Sequence, residues 1–324
     1  MKAVRFHETG RPDVLKLEQV KDLETGAGET LVKVHTVGVN FADTLLRRGA
    51  YLTAPRLPET PGFEAAGVVA DVGHGVDKDL VGQRVAVLGE HTYSEYVKVP
   101  ADSLIPLPDS LSFDDGAAFP VQALTAYHML YSVDHLAPGD TVLIHAAAGG
   151  VGLLAVQMAK LAGARVLATV SNEAKARRAK ELGADETILY SKVDFASEVD
   201  RLTGGRGVRL VLDSVGKATL RGSLRSLAPF GHLISYGGAS GPPEALEIRS
   251  LYEKSLKVSA FWLMTLPRAP ELAARGIQQV MDWITGGKLH LVVGLKLPLA
   301  AAAEAHRQME NRETVGKILL TVAS

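Results

Sequence analysis

The sequence predicts an α/β chain in which a doubly wound parallel sheet follows a smaller β-rich unit. Two observations carry this. From about residue 120, short β-branched and apolar runs alternate with helical segments, the rhythm of a parallel sheet with helices on both faces. Before that point, short alternating segments are separated by turn signals and then by Pro100, Pro106 and Pro108, as in a partly open barrel. A chain of 324 residues has room for about two domains.

Each element follows from its local pattern. Residues 2–7 and 31–36 alternate weakly, as half-buried strands do, and 66–72, 84–88 and 93–99 supply further strands. Ser112 and Asp115 have the spacing of a capping box, so a helix is expected from Phe113. In the second half, strands are expected at 141–147, 165–170, 186–190, 208–213 and 232–236, and helices at 151–161 and 173–182. Residues 270–285 read as helix and 317–322 as strand, and the last sixty residues are expected to return to the first unit.

Composition excludes several chemistries. There is no cysteine, so disulfides, thiolate nucleophiles and Cys-ligated metal are ruled out. Thirty-five basic residues against 36 acidic ones leave a formal charge of −1, which supports neither nucleic-acid binding nor a polybasic membrane anchor. Residues 141–159 carry no formal charge, yet Gly149, Gly150 and Gly152 break the run into strand, turn and helix. The first ten residues lack a signal-peptide core, and a cytoplasmic protein without a membrane segment is expected.

The most informative segment is His145-Ala146-Ala147-Ala148-Gly149-Gly150-Val151-Gly152, placed between an expected strand and an expected helix. A dinucleotide pyrophosphate needs close backbone approach and the amides of a helix N-terminus, which is the phosphate turn of a Rossmann domain. Gly149 and Gly150 remove obstructing side chains, and Val151 opens the helix; Ala147 stands where the usual first glycine would be. His145 beside this turn reads as structural.

An NAD-selective site places an acid at the end of the second strand. Here that strand ends Thr169-Val170-Ser171 and is followed by Lys175, Arg177 and Arg178. Ser171 and Lys175 favour a 2′-phosphate and therefore NADPH, although the basic run also reads as a solvated helix face.

The chain resembles the zinc-independent quinone oxidoreductase (zeta-crystallin-like) branch of the medium-chain dehydrogenase/reductase superfamily. The resemblance spans the chain and rests on Gly38-Val39-Asn40-Phe41-Ala42-Asp43, 61–67, Leu124-Thr125-Ala126, 146–152, Asp213-Ser214-Val215-Gly216 and Val315-Gly316-Lys317. It implies a GroES-like catalytic domain at 1–121, a Rossmann NADPH-binding domain at 122–261 and a C-terminal return to the catalytic domain at 262–324, with NADPH in the cleft. Asn40 and Phe63 stand where zinc-dependent members carry cysteine and histidine, so no metal site is expected.

The resemblance also implies site residues. Asn40, Tyr51 and Gln122 would surround the nicotinamide, with Tyr51 as proton donor or enolate partner, or packed at the cleft mouth. Thr125 would bind the nicotinamide amide and Tyr190 the adenosine phosphate end. Val215, Tyr236, Gly237, Phe261, Leu263 and Lys317 would line the remaining groove. Without metal, flavin or thiol, the expected reaction is hydride transfer from NADPH to a quinone. A 2-alkenal, enone or enoyl thioester is the alternative acceptor, because a tyrosine and a lysine of some bacterial quinone reductases are here Leu45 and Gln122. A non-catalytic, crystallin-like NADPH-binding protein is the reading from another class. The family implies a homodimer.

Overall fold

The first strands form where apolar and polar residues alternate. In the computed structural model, which describes residues 1–322, β1 (Lys2–Arg5) pairs antiparallel with β2 (Lys16–Gln19). The long strand β3 (Glu29–Val39) buries Thr30, Val32, Val34 and Thr36 on one face, then Val37 and Val39 at its end. It runs through Asn40, whose backbone is still extended, into helix α1 (Phe41–Arg47). β4 (Glu64–Val72), β5 (Arg84–Leu88), β6 (Tyr96–Pro100) and β7 (Leu104–Pro106) follow. The strand expected at 93–99 begins only at Tyr96; just before it, the Tyr93 carbonyl accepts from the amide of Val4 in β1. Helix α2 (Phe113–Ala118) starts as its capping box requires, with Ser112 Oγ accepting from the Asp115 amide at 3.1 Å.

Helix α3 (Pro120–His128) ends in one π-helical turn, Met129–Val133. Strand–helix alternation then proceeds through β8 (Thr141–Ile144), α4 (Gly150–Leu161), β9 (Arg165–Val170), α5 (Glu173–Glu181), β10 (Glu186–Leu189), α6 (Phe195–Thr203), β11 (Val208–Asp213), α7 (Leu220–Ser226), β12 (Leu227–Ser235), β13 (Lys257–Ala260) and α8 (Pro270–Thr285). The described residues place six parallel strands in the order β10-β9-β8-β11-β12-β13. This is the Rossmann order, with its switch point between β8 and β11. Leu143, Leu167, Val211 and Leu233 make its core, each contributing about 1.5–3 kcal/mol relative to exposure.

The chain closes with β14 (Val293–Pro298), α9 (Ala302–Glu310) and β15 (Lys317–Thr321). These strands join the first sheet in the order β14-β15-β3-β4-β5-β7, with β6 also on β3. Two compact units result: Met1–Val121 with the chain from Leu291 onward, and Gln122–His290. The return thus begins at Leu291 and not at 262, which corrects the expected boundary. Residues before it are held in the second unit by α8, where Trp283 packs on Tyr127 and Tyr131 with centroids 5.9 and 5.6 Å apart. The long uncharged run at 141–159 divides into β8, a turn and α4, and among the described residues no helix is long and apolar enough to cross a membrane.

Candidate active site

Within the second unit the expected cofactor residues other than Thr125 follow the C-terminal ends of the parallel strands, where α/β sheets bind ligands. After β8 the chain turns through Ala146 with φ 49°, a left-handed conformation that costs an alanine about 1–2 kcal/mol. Gly149 is the N-cap of α4 and offers no side chain to accept from the first amides of this helix. A Cβ on Gly150 would overlap the Gln122 carboxamide, and one on Gly152 would lie 2.5 Å from Ala146 O and 2.7 Å from Ala147 Cα. Gly150 is needed beside Gln122, and Gly152 beside the backbone of the turn. Val151 is half-buried, and Gln122 and Thr125, both on α3, are buried at 6% and 7% exposure.

The next strand ends carry the expected 2′-phosphate residues. Ser171 follows β9, and its carbonyl accepts from Ser191 Oγ at 3.1 Å. Asn172 caps α5 by accepting from the Lys175 amide at 2.9 Å, which places Lys175 in the first turn. The nearest acid, Glu173, is paired with Lys192 at 2.8 Å, and that hydrogen bond holds its carboxyl below the usual range. Tyr190 is exposed after β10, its amide reaching Val170 O at 3.3 Å.

Asp213 organises the ends of β11 and β12. Its Oδ1 accepts from the Val215 amide at 2.8 Å, the Gly216 amide at 3.0 Å and Thr219 Oγ1 at 2.8 Å. Its Oδ2 accepts from Ser223 Oγ at 2.9 Å, and Ser223 also meets His145 Nε2 at 3.0 Å. His145 Nδ1 meets Thr169 Oγ1 at 2.9 Å, and burial lowers the imidazole pKa. This chain of bonds ties β8, β9 and β11 together, so His145 is structural. Tyr236 donates its amide to Asp213 O, and burial pushes its phenol up to about 12. A Cβ on Gly237 would lie 2.9 Å from Ser214 O. Phe261 stacks on His128 at 6.3 Å, and Leu263 is buried.

In the first unit, Asn40 is the centre of a buried polar group. Its Nδ2 donates to Glu64 Oε1 at 2.6 Å, and its Oδ1 accepts from Lys317 Nζ at 2.9 Å. Lys317 also pairs with Glu64, and Glu64 Oε2 accepts from the Val121 amide at 2.7 Å. Lys317, expected to line the cofactor groove, is 1% exposed, with its ammonium on Asn40 and Glu64. The Asn40 amide donates to Asp43 Oδ2 at 2.8 Å, which also accepts from Tyr93 at 2.9 Å. Burial raises Asp43 to about 7. Tyr51 is half-buried with its ring 5.3 Å from that of Phe63.

Sequence reasoning assigned no role to Glu64 or Asp43, although both stand in segments that carried the resemblance. The signal available was the acid itself, directly after Phe63 and three residues after Asn40.

Two family models match: the alcohol dehydrogenase GroES-like domain over residues 26–109 and the zinc-binding dehydrogenase over residues 150–284. A quinone oxidoreductase of Pseudomonas aeruginosa is 39% identical over 324 residues, covering 98% of this chain and 99% of that protein. The chain belongs to the zinc-independent quinone oxidoreductase branch of the medium-chain dehydrogenase/reductase superfamily. A 2-haloacrylate reductase of Burkholderia sp is likewise 39% identical, over 332 residues, covering 98% of each chain. The crystal structure of Escherichia coli quinone oxidoreductase complexed with NADPH superposes with a TM-score of 0.95 at 35% identity, covering 99% of this chain and 100% of that one.

The second family description names zinc, and the residues here do not fit that ion. Asn40 directs its oxygen at the Lys317 ammonium, Phe63 has no donor atom and the chain has no cysteine. Among the described residues no group of three or more His, Cys, Asp and Glu could hold a metal.

Proposed function

We propose that this reductase is NADPH-dependent and delivers hydride to an electron-poor acceptor, a quinone first, without a metal. The observation that carries it is the uncapped start of α4 at Gly149-Gly150, together with Ser171 and Lys175 where an NAD-selective site has an acid. These residues fit the dinucleotide: the α4 amides would hold its pyrophosphate, Ser171 and Lys175 its 2′-phosphate, and Tyr190 its adenine end. Thr125, Val215, Tyr236, Gly237, Phe261 and Leu263 would line the remainder.

When bound, the reduced nicotinamide supplies the hydride. The chain's own residues supply orientation and charge stabilisation. Reduction of a quinone or an α,β-unsaturated carbonyl builds negative charge on the acceptor oxygen, which hydrogen-bond donors stabilise. Asn40 Nδ2 and the Tyr51 phenol are the donors in this reading, and Gln122 orients the carboxamide end of the cofactor. The Tyr51 phenol also gives the oxygen its proton in this reading, and solvent returns a proton to the phenolate.

Reduction of an activated C=C bond is the second reading, favoured by the 2-haloacrylate reductase that matches as closely as the quinone oxidoreductase. Stopped-flow oxidation of NADPH with benzoquinone, phenanthrenequinone, trans-hexenal, 2-chloroacrylate and crotonyl thioester separates the two. Faster turnover of the quinones supports the first reading. Turnover confined to the unsaturated carbonyls and acids replaces it with the second, and NADPH binding without any turnover makes the protein a non-catalytic binder. The working assembly is proposed to be a cytoplasmic homodimer, which sedimentation equilibrium reads.

A further inference from the structure

Asn40, Glu64 and Lys317 come from three neighbouring strand ends. Asn40 follows β3, Glu64 opens β4 and Lys317 opens β15, and the sheet order places these strands side by side. Gly38 leaves room for the acid to reach across: a Cβ there would lie 2.6 Å from Glu64 Cγ. All three side chains are buried, at 4%, 0% and 1% exposure.

The chemistry of the two charged partners dictates which way the carboxamide points. An ammonium only donates, so it must meet the amide oxygen, and a carboxylate only accepts, so it must meet the amide nitrogen. The observed pairs, Lys317 Nζ to Asn40 Oδ1 at 2.9 Å and Asn40 Nδ2 to Glu64 Oε1 at 2.6 Å, satisfy both demands. Turning the carboxamide over would break both bonds and set an NH2 against an ammonium. The second proton of Nδ2 has only Gly38 O, at 3.5 Å, beyond a good hydrogen bond. That proton is the donor Asn40 has left to give. A cation on the oxygen of an amide draws electron density from its nitrogen and strengthens the remaining N–H as a donor.

We propose that Lys317 and Glu64 are positioning residues for Asn40, locking its carboxamide in one orientation and polarising its second N–H toward the acceptor oxygen. Lys317 then acts through Asn40, in place of the cofactor contact its family resemblance implied. The proposal rests on the reading in which Asn40 serves the acceptor.

The test uses the full-length protein with Lys317→Arg, Asn40→Ala, the charge-neutral double variant Glu64→Gln/Lys317→Met and the triple variant that adds Asn40→Ala to it. The double variant removes both charges together and leaves no lone buried ion, which keeps the fold testable where Lys317→Met alone would fail. Thermal midpoints verify folding, fluorescence titration without acceptor gives the NADPH Kd, and turnover gives kcat and acceptor KM. Loss of positioning is expected to lower kcat about ten-fold or more with NADPH Kd within about two-fold, and Lys317→Arg to keep most of the rate. In the Asn40→Ala background the charge-neutral pair is expected to add no further loss, because both act on one group. Additive losses, or a loss confined to NADPH Kd, overturn the positioning role while leaving Asn40 in the reaction. A wild-type kcat for Asn40→Ala removes Asn40 from the reaction and the positioning role with it.

Discussion

The carboxamide of Gln122 occupies the space that a side chain on Gly150 would need. A residue on α3 and the first residue of α4 are therefore fitted to one another across the phosphate turn, and this constraint is distinct from the one at Gly152. A Cβ at Gly150 meets the end of a flexible side chain, whereas one at Gly152 meets the backbone of Ala146 and Ala147. Gly150→Ala is expected to fold with a midpoint close to wild type and to lose roughly ten-fold in NADPH affinity, about 1.4 kcal/mol. Gly152→Ala is expected to lower stability by about 2–4 kcal/mol. Calorimetry and cofactor titration on both variants measure the difference; equal stability losses would mean that Gly150 is also a packing residue.

Coenzyme choice is expected to follow Lys175. In Lys175→Ala, NADPH affinity should fall by about ten-fold while NADH affinity stays the same, the size of one charge-assisted contact to a phosphate. Parallel titrations with the two cofactors check this. Unchanged NADPH affinity together with efficient use of NADH would place the 2′-phosphate elsewhere.

Tyr51→Phe keeps the ring against Phe63 and removes only the hydroxyl. A fall in kcat of about 10–100-fold is expected, with NADPH Kd unchanged, if the phenol serves the acceptor oxygen. A change in acceptor KM alone would assign Tyr51 to packing at the site.

Asp43 links stability to pH. Burial raises its folded pKa to about 7 from an ordinary 3.8, so its contribution is fully present below the unfolded value and is lost as pH rises through 7. Asp43→Asn keeps an acceptor for the Asn40 amide and for Tyr93 but cannot ionise. Between about pH 5 and pH 8 the wild type is expected to lose about 2–3 kcal/mol that the variant keeps. His306, which meets Tyr93 at 3.0 Å, works at the other end: burial depresses it to about 3, so its contribution is present above pH 6.5 and lost as pH falls through 3. Urea unfolding at a series of pH values reads both. Parallel pH dependences for wild type and Asp43→Asn would show that Asp43 stays ionised.

The second unit was legible in the sequence because its signals are local. The edges of β9, β11 and α8 fall where the alternation places them, and the glycine turn announces itself between strand and helix. Strand β8 stops at Ile144 because Ala146 must turn left-handed, which composition alone does not reveal. The first unit was legible only as strands. Lys317 lies 277 residues from Asn40 and 253 from Glu64, and no period or spacing reports a contact at such a distance. Glu64 was in plain view, yet its partners became visible only when β15 was laid beside β3. The boundary at Leu291 was hidden for the same reason, since it depends on Trp283 finding Tyr127 and Tyr131 in space.

Metal-free hydride transfer from NADPH is tested most directly by single-turnover kinetics on chelator-dialysed protein, comparing ordinary NADPH with NADPH deuterated at the transferred position. With benzoquinone or trans-hexenal as acceptor, the expected result is full oxidation of NADPH, slowed several-fold by deuterium and unaffected by chelation. Absence of NADPH oxidation with every acceptor, or activity that disappears on chelation and returns with zinc, would contradict it.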